Sequence, residues 1–146
     1  MSVLTRSVWE AWIPHAGSMA LIDAVVDWSE TTIHAIGERY APEQHPLRSE
    51  SGLHVVHLIE YGAQATAVHG ALLASAQGEA RLRAGRLVSV RDVRFAVEYI
   101  DLSEGRLDIH ADRFHADDRG AQYTFNVGQN GKLYASGRVT VMYADA

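Results

Sequence analysis

The sequence predicts an α+β domain: a curled antiparallel sheet wrapped around one long central helix. Three observations carry this expectation. Residues Leu53 to Ala76 contain no proline and are rich in alanine, with leucine and valine between. Such a run reads as one long, largely buried helix. From Gly85 to the end, apolar and polar residues alternate with period two, as in half-buried strands. Before the helix, two β-branched apolar runs read as a hairpin. An antiparallel sheet with a helix on one face satisfies this order.

Each element follows in turn. Residues 6–12 read as a short helix carrying Trp9 and Trp12 and ended by Pro14. Met19 to Val26 and Trp28 to Arg39 read as two strands joined near Asp27–Glu30. Residues 40–52, with Pro42, Pro46 and three charges, read as an irregular loop. In the helix, Gly62, Ala63, Ala65, Ala67 and Gly70 are small. Glycine there costs about 1 kcal/mol against alanine, so another backbone is expected very close to it. Leu87 to Tyr99 and Leu107 to Phe114 read as strands, with a turn at Asp117–Gly120. Tyr123, Phe125 and Val127 alternate. Asn130-Gly131 is a strong hairpin turn, and Leu133 to Tyr143 is the last strand.

Composition sets the bounds. The chain has 146 residues, 47% hydrophobic and 21% charged, with three prolines. That is one globular domain, 1–146, large enough to bury a core without staples. There is no cysteine, which excludes disulfides, a thiolate nucleophile and Cys-based zinc sites. The net charge of -5 argues against a nucleic-acid partner. The longest uncharged stretch, 61–78, is rich in Gly, Ala, Ser and His, so no membrane span is expected. The N-terminus lacks an apolar h-region with a cleavage site, which places the chain in the cytoplasm.

Eight histidines are present, but no HExxH or other ligand motif accompanies them, so no metal is expected. Chemistry points instead to His45 and Glu60. His45 sits in the loop that feeds the helix. Glu60 lies among Leu58, Ile59, Tyr61, Gly62 and Ala63. A carboxylate in such a setting is costly unless paired or functional. Burial raises a carboxyl pKa and lets it hold a proton near neutrality. Gln64, one turn later, shares its face. The alternative for Glu60 is an ordinary polar stripe with His57 and Gln64, and for His45, taken alone, an ordinary loop histidine.

These residues carry a resemblance. Ile13-Pro14-His15-Ala16-Gly17-Ser18-Met19-Ala20-Leu21-Ile22-Asp23 resembles the N-terminal stretch of hotdog-fold 3-hydroxyacyl-acyl carrier protein dehydratases. His45-Pro46 and Glu60-Tyr61-Gly62-Ala63-Gln64 resemble that family's His-Phe-Pro loop and the Glu-x-x-Ala-Gln of its central helix. Arg91 to Val97 is similar to its Lys-Phe-Arg-x-Pro-Val strand. The wording from Ile59 to Leu72 is most like the small dehydratase-like subunits of aryl-polyene biosynthesis. The resemblance implies a hotdog fold, two subunits side by side, and an active site at their interface. It implies that His45 takes the C2 proton of a 3-hydroxyacyl thioester, that Glu60 protonates or positions the departing 3-hydroxyl directly or through water, and that no metal or organic cofactor is needed. By the same resemblance Gln64, Val55, Val56 and His57 are expected to bind substrate, at a helix start that offers N–H donors for an enolate-like oxygen. The acyl chain lies beside the helix.

The sequence departs from that family at His54-Val55, where Pro-Gly is usual, and in the loop 47–52, which lacks a Gly-x-Pro run. His57 is a rival base, and His15 matches a structural position. Arg81, Arg83 and Arg86, with Arg91 and Arg94, form a basic cluster in a chain with a single lysine. It is a candidate landing patch for an acidic acyl carrier protein, or else a solvated edge. Three readings follow: a dehydratase subunit, a weakly active or non-catalytic hotdog partner of a paralogous subunit, or a hotdog thioesterase. Both a homodimer and a heterodimer fit the sequence.

Overall fold

A computed structural model describes residues 3–13, 17–40, 45–78 and 85–143. Nine strands and one helix follow in order: β1 (Leu4–Thr5), β2 (Ala24–Trp28), β3 (Thr32–Gly37), β4 (Leu53–His54), α1 (Leu58–Ala76), β5 (Gly85–Phe95), β6 (Tyr99–Ile100), β7 (Leu107–Ala116), β8 (Gly120–Gln129) and β9 (Lys132–Tyr143). Seven strands make one antiparallel sheet in the order β1-β2-β3-β7-β8-β9-β5. β4 and β6 form a separate two-stranded ribbon. The predicted architecture is present. Ile33, Ala35, Leu107, Ile109, Ala111, Tyr123, Phe125, Val127, Ala135 and Val139 are buried at alternate positions along their strands, and they join residues of α1 in one core cluster. No described helix is long and apolar enough to cross a membrane.

Several boundaries differ from expectation, each for a tertiary reason. The helix does not start at Leu53. Leu53 and His54 pair with Ile100 and Tyr99, the Val55 N–H donates to the Glu98 carbonyl at 2.8 Å, and Val55–His57 form a 3-10 turn before α1. Strand pairing with a distant segment overrides local helix propensity here. Residues 6–12 form two 3-10 turns rather than a helix; Trp9 between them is buried. Pro14 and His15 lie outside the described residues. The strand predicted from Met19 begins at Ala24, as β2, because Met19 and Leu21 are bonded by Gln64 of α1. The predicted 87–99 strand is two, β5 and β6. The Asn130-Gly131 turn stands as predicted, with φ of 53° and 78°, the left-handed pair a tight hairpin needs.

The small residues of α1 have a partner other than the backbone expected. A Cβ on Gly62 would lie 2.6 Å from Cδ2 of Phe125, whose ring is held on its other edge by Gly137 of β9. Gly70 has nothing within 4 Å of such a Cβ. An aromatic ring, not a chain crossing, is what Gly62 accommodates.

Candidate active site

The loop 45–52 and the first turns of α1 bring the candidate residues together. His45 is fully buried. Its Nε2 lies 2.9 Å from the Tyr61 hydroxyl, and its Nδ1 accepts the Leu47 N–H at 3.1 Å. Arg48 donates to the His45 carbonyl at 2.9 Å. Burial, and then the charges of Arg39, His57 and Arg48, push the His45 pKa down to about 4. The ring is therefore neutral near pH 7.

Glu60 is half-buried on the adjacent face of α1. Its Oε1 accepts from Gln64 Nε2 at 2.9 Å. Gln64 is itself fully buried. Its Oε1 accepts the Leu21 N–H at 2.8 Å, and its Nε2 also donates to the Met19 carbonyl at 2.8 Å. The Leu21 N–H can only donate, so the amide orientation is fixed and its N–H side faces Glu60. Glu60 is thus neither free on a polar stripe nor sealed in the core. It is held at a half-open position by a rigid neighbour.

The helix start differs from the expected cradle of free N–H groups. The Val55 N–H is taken by the Glu98 carbonyl. The Val56 N–H is taken by His54 Nδ1 at 3.1 Å, and the His54 ring sits edge-on to Tyr99. Val55 is buried, Val56 exposed and His57 half-buried. A shallow hollow lies against this point, lined by His54, Val55, Phe95, Ala96, Val97 and Glu98. Of the basic cluster, Arg86 is exposed on β5, with Arg91 and Arg94 further along. Their register partners on β9 are Met142, Arg138 and Ser136, so all three share the outer face. Arg81 and Arg83 lie outside the described residues. No group of three or more His, Cys, Asp or Glu among the described residues is placed to hold a metal.

Sequence reasoning missed Tyr61 as the partner of His45. It also missed a second buried pair. His69 Nδ1 lies 2.6 Å from the Tyr123 hydroxyl, and its Nε2 donates to the Ser29 carbonyl at 2.8 Å. One signal was available: a tyrosine inside an apolar helix must find a hydroxyl partner.

Comparison with known proteins gives three findings. The family model described as ApeP-like, ApeP dehydratase, matches residues 8–146. No match is found among the curated proteins. Among solved structures, the dehydratase heterocomplex ApeI:P from Xenorhabdus doucetiae is similar with a TM-score of 0.82 and 22% identity, over 93% of this chain and 90% of that one. A hypothetical thioesterase protein with coenzyme A from Streptococcus pneumoniae is similar with a TM-score of 0.60 and 9% identity, over 82% and 84%. AziG from S. sahachiroi reaches 0.57 and 18%, over 84% and 90%. At these identities the structures establish the fold, which is the hotdog fold.

Proposed function

Because the chain belongs to the ApeP-like dehydratase family, we propose that it is one subunit of a 3-hydroxyacyl-acyl carrier protein dehydratase. It removes water from a 3-hydroxyacyl thioester to give a trans-2-enoyl thioester, in polyene or fatty-acid-like biosynthesis in the cytoplasm. The observation that carries this reading is the carboxyl group of Glu60 held at a half-open point of α1 by the buried amide of Gln64. A base takes the C2 proton, the C2–H electrons form the double bond, the C3–O bond breaks, and Glu60 gives the departing hydroxyl its proton. Removal of a general acid lowers such a rate by about 10²–10⁴-fold.

The site is completed by a second hotdog chain. β5 is the last strand of the sheet among the described residues, so one side of its backbone has no strand beside it. It exposes Leu87, Val88 and Phe95. An open edge carrying apolar side chains is a template for pairing with another strand. The structural relative is a heterocomplex, which favours a paralogous partner over a second copy. Side-by-side pairing makes two clefts, each where the loop of one subunit meets the helix carboxyl group of the other. A second reading, a subunit inactive alone, is favoured by one observation: both ring nitrogens of His45 are already bonded.

The test is mass spectrometry of a 3-hydroxyacyl carrier protein incubated with this chain alone and with a paralogous hotdog subunit. Loss of one water, reduced at least 100-fold by Glu60→Gln, supports the reading. Thioester hydrolysis in place of dehydration, or an undiminished rate with Glu60→Gln, rejects it.

A further inference from the structure

A neutral imidazole has two nitrogens and one proton, and its neighbours decide where the proton sits. At His45 the Leu47 N–H donates to Nδ1. Nδ1 therefore carries the lone pair, and Nε2 carries the hydrogen. That N–H donates to the Tyr61 oxygen at 2.9 Å. Adding a proton at Nδ1 would set one N–H against another and break the Leu47 bond. Burial and the nearby Arg39, His57 and Arg48 oppose the charge as well. Near neutral pH the ring has no lone pair to spare, and Nδ1 and Nε2 are both engaged inside the chain.

We infer that His45 acts in this chain as a neutral hydrogen-bond donor clasped by Tyr61 rather than as the proton-taking base, and that Tyr61 is the positioning residue that seats it. The pair bolts loop 45–52 to α1 at the residue next to Glu60. This rests on the dehydratase reading and narrows it. Of the two sites formed by pairing, one works: the site that joins Glu60 of this chain to an imidazole supplied by the partner subunit. That imidazole takes the C2 proton, Glu60 protonates the hydroxide leaving C3, and the proton on the imidazole returns to Glu60 through solvent.

The ring itself reports the answer. Proton–nitrogen correlation spectra of the full chain at neutral pH are expected to show His45 with a protonated Nε2, a bare Nδ1 and a coupling from the Leu47 amide. A protonated Nδ1 with a bare Nε2 overturns the inference. Tyr61→Phe gives a second reading. If Nε2 donates to Tyr61, its loss leaves the His45 titration midpoint unchanged or lower, because the imidazolium loses the better-held acceptor. If Tyr61 donates to a bare Nε2, the midpoint rises, which overturns the inference. In the assembled pair, a clasp and a base also separate. Glutamine supplies an N–H to Tyr61, so His45→Gln is expected within about threefold of wild type while His45→Ala loses at least tenfold. Equal losses of 100-fold or more in both overturn the inference. Should no carrier substrate be dehydrated at all, the dehydratase reading falls, while the ring spectra still decide the clasp.

Discussion

Gln64 makes three hydrogen bonds with one amide: to the Leu21 N–H, the Met19 carbonyl and Glu60. This link was half legible in the sequence. Glu60 and Gln64 stand four apart on a helix, and that spacing puts them on one face. Their anchorage on residues 19–21 was not, because the contact spans more than forty residues and leaves no local pattern. The same holds for His45 and Tyr61, which a loop separates. His45 carries a measurable consequence. Its folded pKa is about 4, against about 6.5 unfolded. A histidine held neutral by the fold stabilises it fully above pH 6.5. That stability is lost as pH falls from 6.5 toward 4, because the unfolded chain binds the proton first. Burial of His69 acts in the same direction. Denaturant midpoints are therefore expected to drop across this window. His45→Gln should flatten the drop, by up to about 3 kcal/mol for a shift of this size.

The central helix shows why a segment can be recognised and its ends still misjudged. Alanine content and the absence of proline announce α1. Its first turn is decided elsewhere, by β6 and the Glu98 carbonyl. Sequence also marked Gly62 as a close-packing point without revealing that a phenyl ring is the neighbour. Gly62→Ala tests which effect is larger. Alanine favours a helix interior by about 1 kcal/mol, so without a clash it would stabilise. With Cβ 2.6 Å from a ring that Gly137 confines, overpacking should win, with a net loss of about 1–3 kcal/mol in urea unfolding. Phe125→Leu in the same chain should shrink that loss, a coupling that a double-mutant cycle measures.

For the molecule as a whole, the open edge at β5 dominates. Val88 is 44% exposed, so Val88→Asp should leave the chain folded. A carboxylate in a buried strand pair is costly, so the substitution should shift a dimer toward monomer in analytical ultracentrifugation. Dehydration by the pair should fall in parallel. Insensitivity of both would place the partner elsewhere. The alternation along β5 to β9 was plain in the sequence. Which strand would lie outermost was not, because strand order depends on long-range pairing and β5 joins β9 across the span of β7 and β8.

Tyr61, Gln64 and His69 fix α1 at three points along its axis: to the loop at 45, to residues 19–21, and to Ser29 with Tyr123. A one-turn ratchet moves a helix by about 5.4 Å, and such a slip would break all three polar ties together. The helix is thus pinned against sliding. If the proposed pairing holds, room for a longer or shorter acyl tail is expected to come from the facing subunit, so that the choice of companion, rather than any give in this chain, would gauge substrate length.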